Sequence, residues 1–349
     1  MKIAQIAPLY ERVPPRYYGG TERIVSYLTE ELVNQGHDVT LFASGDSLTK
    51  AKLHPIGECA LRLNSHYLDP LAHHIRLLGE VSNLAPTFDI LHFHIDYLHF
   101  PLSRILRVPQ LTTLHGRLDL PDLAPLYQAF PEMPVVSISN AQRHPLPFAN
   151  WQATIYHGLP ENLYDFHPQP GDYLAFLGRI SPEKRLDRAI EIALRAGMEI
   201  RIAAKVDPVD EAYFQKRIKP LLTHPLVSYI GEIGEREKND FLGQAYALLF
   251  PIDWPEPFGL VMIEAMACGT PVIAYRQGSV PEVMQNGKTG FIVESLEQAV
   301  TAVERISQVS RRHCRQVFEE QFSAKCMAKN YLRLYQALTQ PAIKPRLVS

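Results

Sequence analysis

The sequence predicts an α/β protein of two doubly wound domains that face each other across a cleft. Three observations lead there. Short apolar runs alternate with amphipathic stretches along nearly the whole chain, the pattern of parallel strands joined by helices. The pattern restarts near residue 172, after the proline-rich and aperiodic stretch LPENLYDFHPQPG. The chain also has 349 residues, too many for one ordinary domain. These place a first domain at 1–165 and a second at 166–322, with a last helical stretch, about 323–349, that can return to the first domain.

Each element has a local reason. KIAQIAP is a short apolar run and reads as a buried strand. After the loop LYERVPPRYYGG, the stretch TERIVSYLTEELVNQG puts Ile24, Val25, Leu28, Leu32 and Val33 on one helical face, with Thr21 near its start and Gly36 at its stop. HDVTLFASG is the next strand. Residues 50–86 read as helical only in their later part. Further strands follow at FDILHFHI, PQLTTLHG, PVVSIS and ATIYHG. In the second half DYLAFLGRI is a strand and SPEKRLDRAIEIALRAG a helix with a Ser-Pro start and a Gly stop. MEIRIAAKV, VSYIGEI, YALLFPI and PVIAYR read as strands, and PVDEAYFQKRIKPLL and EREKNDFLGQA as the helices between them. SAKCMAKNYLRLYQAL is the last helix.

Composition excludes several functions. With 35 basic and 37 acidic residues the net charge is -2, which argues against a broad grip on nucleic acid or anionic lipid. The four cysteines, Cys59, Cys268, Cys314 and Cys326, form no CxxC pair or metal spacing and read as reduced thiols of a cytoplasmic protein. No uncharged run approaches the roughly 18 residues of a membrane span. His92 and His94 share one face of a strand, but no further ligands stand at telling spacings, so no metal is expected.

In doubly wound sheets ligands bind in the crevice at the carboxyl ends of the strands. The loop LGRISPEKRLD carries Arg179 and Lys184 at such an end. Together with a helix start, whose free N–H groups attract anions, they suit a diphosphate. The alternative is a solvated helix start in which Glu183 pairs with Lys184 or Arg185. In WPEPFGLVMIEAMACG a helix should begin near Phe258 to Leu260, aiming its first N–H groups at the cleft. Glu264 lies among Val261, Met262, Ile263, Ala265 and Met266, where a carboxylate needs partners. Two adjacent ribose hydroxyls would supply them. Glu256, in the loop before the helix, is placed to bond a sugar hydroxyl.

EPFGLVMIE resembles the E-x7-E signature of retaining glycosyltransferases of the GT-B fold, which has two Rossmann-like domains. GRISPEKRLD, AMACGTPVIAYRQGSVPEVMQNGKTGFIV and YYGGTERIVSYLTEELVNQGHDVTLF are similar to further segments of the same group. Together they resemble glycosyltransferase family 4 over nearly the whole chain. The resemblance implies a nucleotide-diphospho-sugar donor, of UDP or GDP, and no metal or other cofactor. It implies Arg179 and Lys184 on the diphosphate, Glu264 on the ribose and Glu256 near the donor sugar. It further implies Phe258, Gly259 and Leu260 as backbone support, Gly19 and Gly20 as a closing glycine loop, and His115 facing the reacting sugar.

Three positions depart from that pattern. Arg185 replaces the glycine after the motif lysine, His157 the usual Asn, and Ser279 a second glycine. Ser139 and Asn140, at a strand end, are candidates to touch acceptor or phosphate. A nucleotide-sugar epimerase, a glycan phosphorylase and a non-catalytic binder stay open on the same architecture. A dinucleotide-dependent dehydrogenase is disfavoured, because the first loop lacks GxGxxG. The acceptor, whether glycan, lipid or small molecule, is not legible, and no basic amphipathic helix supports membrane contact.

Overall fold

The computed structural model describes residues 1–16, 19–63 and 67–340. It contains two parallel sheets. The first has seven strands, β1 (Lys2–Ile6), β2 (Asp38–Ala43), β3 (Lys52–Pro55), β4 (Ile90–Phe93), β5 (Gln110–Thr113), β6 (Val135–Ser137) and β7 (Trp151–Thr154), in the order β3-β2-β1-β4-β5-β6-β7. The second has six, β8 (Tyr173–Arg179), β9 (Glu199–Lys205), β10 (Val227–Gly231), β11 (Ala247–Phe250), β12 (Val272–Tyr275) and β13 (Gly290–Val293), in the order β10-β9-β8-β11-β12-β13. The central strands β4, β11 and β12 are buried at every residue, as expected for strands covered on both faces. Strand order reverses between β1 and β4 in one sheet and between β8 and β11 in the other. Those reversals open the two crevices that can hold a ligand.

Most local expectations agree with these elements, and the differences have physical causes. The helix Gly20–Asn34 buries Ile24, Val25, Leu28 and Leu32 as its periodicity requires. Within 50–86 the helix Pro70–Leu84 is present, capped by Asp69, whose carboxylate accepts from the N–H groups of Leu71 and Ala72. The edge strand β3, only four residues long and half exposed, has no alternation strong enough to announce it. The single helix expected over 181–197 is broken: a 3-10 turn at Pro182–Lys184 ends at Arg185, which is left-handed, and the α-helix runs Leu186–Arg195. The expected helix over 208–222 is a chain of short 3-10, α and π turns, interrupted by Pro220.

The connections between the sheets meet at one place. Leu159, on the chain leaving the first sheet, pairs with the segment that returns from the second. Its N–H donates to the Phe322 carbonyl at 2.9 Å and its carbonyl accepts from Ala324 N–H at 2.7 Å. The helix Ala324–Thr339 then packs on the first sheet's side, against the helix Gly20–Asn34. Its Tyr331 and Tyr335 are fully buried, and their hydroxyls bond Thr113 and His92 at 2.8 and 2.6 Å. Of the stretch expected to return, residues 341–349 lie outside the described residues.

At this crossing Gly158 has no room for a side chain: a Cβ there would meet the Ser323 carbonyl oxygen at 2.3 Å. Gly158→Ala should therefore lower unfolding stability by roughly 1–3 kcal/mol, the usual cost of overpacking against backbone. Urea denaturation checks this, and an unchanged midpoint would show that the crossing yields freely.

Candidate active site

The loops at the two reversals line one cleft of about 760 Å3. Its first-sheet wall includes Tyr10, His94 and Asp96, and its second-sheet wall includes Gly178, Trp254 and Lys205. Ten of the residues singled out in the sequence, Gly19, Gly20, His115, Arg179, Lys184, Glu256, Phe258, Gly259, Leu260 and Glu264, line it. Ser139 and Asn140 do not. The Ser139 hydroxyl caps the short helix Asn140–Arg143 by accepting from Gln142 N–H at 3.0 Å. Asn140 donates to Glu282 of the second unit through its backbone and side-chain N–H groups, at 2.7 and 3.0 Å. Ala141 N–H and the Tyr156 hydroxyl complete this clasp on Glu282, at 2.7 and 3.1 Å.

Charge in the cleft is closely balanced. Lys184 ion-pairs with Glu256, and its ammonium lies 5.1 Å from the centre of the Trp254 ring. The Trp254 indole N–H donates to the same Glu256 carboxylate at 3.0 Å. Arg179 ion-pairs with Glu183, and Asp207 and Asp210 stand 3.6 and 3.4 Å from its guanidinium. Glu264, only 4% exposed, accepts from the Lys238 ammonium at 2.8 Å and lies 3.5 Å from the Tyr164 hydroxyl. These partners answer the cost of a carboxylate in an apolar run. Lys238 escaped the sequence analysis because it sits in EREKND, which reads as a solvated helix face.

The helix that carries Glu264 spans Leu260–Cys268 and starts at the cleft. Gly259 precedes it at φ 78°, where a Cβ would strike Met262 and the Phe250 ring, so only glycine fits. Gly20 lies opposite, close enough that a Cβ would touch Leu260 at 3.5 Å. From the first unit Arg23 reaches across to ion-pair with Glu235. Asp96 is a second residue that sequence reasoning missed. It is left-handed at φ 51°, and the surrounding walls push its carboxyl up to about 6.

Histidines floor the first-unit side. His115 stacks on His157 with ring centres 5.2 Å apart, and His157 meets Phe258 edge-on at 4.9 Å. Burial holds His115 down to about 3, and His92, His94 and His157 well below the usual imidazole range, so all four are neutral. Both ring nitrogens of His92 and of His94 are taken by protein partners. Among the described residues no three His, Cys, Asp or Glu side chains are grouped to hold a metal ion.

Two family descriptions match consecutive, overlapping parts of this chain: Glycosyltransferase Family 4 over 18–178 and Glycosyl transferases group 1 over 166–321. The chain belongs to this glycosyltransferase family. It is 24% identical to the N-acetyl-alpha-D-glucosaminyl L-malate synthase of Bacillus anthracis, across 91% of this chain and 93% of the relative. It is 25% identical to the glycogen synthase of Mycobacterium tuberculosis, across 99% and 98%. Among solved structures it resembles sucrose-phosphate synthase from Thermosynechococcus elongatus, with TM-score 0.78 and 19% identity over 97% and 99% of the two chains. It also resembles Anabaena HepE in complex with UDP and glucose, with TM-score 0.73 and 18% identity over 97% and 100%. The fold is GT-B.

The glycosyltransferase's three departures from the family pattern now have local accounts. Ser279 is buried and donates to the Phe258 carbonyl at 2.8 Å, bracing the loop before the Glu264 helix. His157 supplies the ring that stacks on His115. Arg185 occupies a left-handed position, φ 53° and ψ 50°, where the family's glycine would be unstrained. Its guanidinium is held by Asp187 at 3.0 Å and Asp253 at 2.8 Å.

Arg185→Ala loses both ion pairs and keeps the strained backbone, whereas Arg185→Gly loses the pairs and relieves the strain. The alanine variant should be less stable than the glycine variant by about 1 kcal/mol. Thermal denaturation of the two side by side tests this, and equal stabilities would mean that the backbone conformation carries no cost.

Proposed function

We propose that this glycosyltransferase moves a sugar from a nucleotide-diphospho-sugar to an acceptor hydroxyl with retention of configuration and without a metal. The observation that carries the reading is the convergence of Arg179, Lys184 and the start of the Leu260–Cys268 helix on one cleft that also holds Glu256 and Glu264. A diphosphate leaving group needs cations and oriented N–H groups in a site that can be closed to water. The complex of Anabaena HepE with UDP and glucose supports a donor of that kind for this relative. In our division the first unit is 1–165 and the second 166–322, and the protein works in the cytoplasm. The described residues include no helix long and apolar enough to cross a membrane.

In this reading the ion pairs are placeholders. A phosphoryl oxygen replaces the Glu256 carboxylate on Lys184, and Glu256 turns to a hydroxyl of the donor sugar. Arg179 exchanges part of its acidic surroundings for the second phosphoryl group. Glu264 accepts from the ribose hydroxyls while Lys238 keeps its charge compensated. The bond from the sugar's anomeric carbon to the diphosphate oxygen breaks, and the electron pair leaves with the diphosphate. An acceptor hydroxyl attacks the same face, and its proton passes to the departing phosphate oxygen. The sugar is in contact with His115, Phe258 and the backbone of Gly259 and Leu260, and the Gly19–Gly20 loop closes over it.

Two measurements test the assignment. In a thermal-shift panel of UDP, GDP and ADP and their common sugar conjugates, one nucleotide should raise the melting temperature equally with and without magnesium. Glu264→Ala should abolish that rise. No response to any member would remove the nucleotide-sugar reading and favour a glycan phosphorylase or a binder of another ligand. With the donor so identified, Lys184→Ala should lower turnover at least tenfold, which is about 1.4 kcal/mol of transition-state stabilisation. A smaller loss would place Lys184 outside the diphosphate contact.

A further inference from the structure

A buried line of polar groups runs from the cleft to the terminal helix. His115 Nε2 lies 2.9 Å from His94 Nδ1. His94 Nε2 lies 2.7 Å from Gln5 Oε1. The Gln5 amide nitrogen donates to the Tyr335 hydroxyl at 3.1 Å, and that hydroxyl lies 2.6 Å from His92 Nδ1. His92 Nε2 in turn meets the Thr113 hydroxyl at 2.7 Å, which bonds the Tyr331 hydroxyl at 2.8 Å. Gln5, His92 and Tyr335 are fully buried and His94 nearly so, while His115 is half-buried at the cleft.

The Gln5 amide oxygen faces His94 Nε2, and that placement sets the hydrogen-bond directions from Gln5 to His115. Gln5 Oε1 can only accept, so His94 carries its proton on Nε2. A neutral imidazole has one N–H, so His94 Nδ1 is a lone pair and must accept. His115 therefore donates from Nε2, and its Nδ1 is left without a proton. That atom is buried and has no hydrogen-bond partner among the described residues. The Gln5 amide nitrogen faces the Tyr335 hydroxyl, whose oxygen accepts from it, and lies 3.5 Å from His92 Nδ1.

We infer that Gln5, His94 and Tyr335 are positioning residues that fix His115 as the Nε2–H tautomer, so that its one N–H is committed to His94 and is not offered to the cleft. A phosphate or carboxylate oxygen in the cleft therefore receives no hydrogen bond from the His115 ring. The inference rests on the glycosyltransferase reading only for what occupies the cleft. It ties the cleft wall of the first unit to the terminal helix, three hydrogen bonds away.

The test reads the tautomer directly and uses no substrate. The protein is labelled with 15N-histidine, long-range 15N–1H correlations are recorded near neutral pH, and His115 is assigned by its loss in His115→Gln. The wild-type protein should show His115 protonated at Nε2 alone. Gln5→Glu retains an acceptor for His94 and should keep that pattern. Gln5→Leu removes it, lets His94 reverse, and should raise the Nδ1–H to Nε2–H ratio of His115 by roughly tenfold, the worth of one hydrogen bond. A wild-type His115 protonated at Nδ1, or on both nitrogens, overturns the inference without any variant. So does a folded Gln5→Leu protein in which the His115 pattern is unchanged. Failure here leaves the nucleotide panel unaffected, so the two readings stand or fall separately.

Discussion

The geometry of this enzyme depends on a short pairing of two chain segments, Leu159 with Phe322 and Ala324. Both covalent connections between the units pass this point, close enough that Gly158 can carry no side chain. Two parallel sheets are each stable through their own buried strands, but nothing within a sheet says where the other should stand. An apolar core continuous through both units, the paired crossing, the Glu282 clasp and the Arg23–Glu235 ion pair together hold that relation. The cleft is the space these contacts leave between the carboxyl ends of the strands.

Charge organisation follows from the same placement. Most cations facing the cleft have acidic partners, Lys184 with Glu256, Lys238 with Glu264, and Arg179 with a group of carboxylates. A buried charge without a partner is costly, and in the proposed reading these carboxylates stand in for a dianionic ligand. On that proposal a phosphoryl oxygen would meet a cation that is already oriented. Glu256 touches both Lys184 and Trp254.

The terminal helix belongs to this arrangement rather than decorating it. It crosses back to the first unit, buries Tyr331 and Tyr335 and closes a polar line that begins at His115. Buried polar networks specify a single arrangement when every member is satisfied. Here one end, Nδ1 of His115, has no partner among the described residues, and it lies on a residue of the cleft.

Much of this was legible from the amino-acid sequence. Alternation of apolar runs and amphipathic stretches determined two doubly wound sheets, because a parallel strand buried on both faces must be apolar throughout. Strand-end loops and the helix that follows one of them singled out Arg179, Lys184, Glu256 and Glu264, and the family resemblance added Gly19, Gly20 and His115. Regular helices were harder where a local rule was broken: the left-handed Arg185 split one helix, and Pro220 fragmented another. Tertiary structure alone decided which distant groups answer one another. Nothing near EREKND announces that Lys238 meets Glu264, and nothing near KIAQI announces that Gln5 joins His94 to Tyr335. Periodicity reports which face of an element is buried, whereas partnership between polar groups depends on distances that exist only once the elements have been brought together.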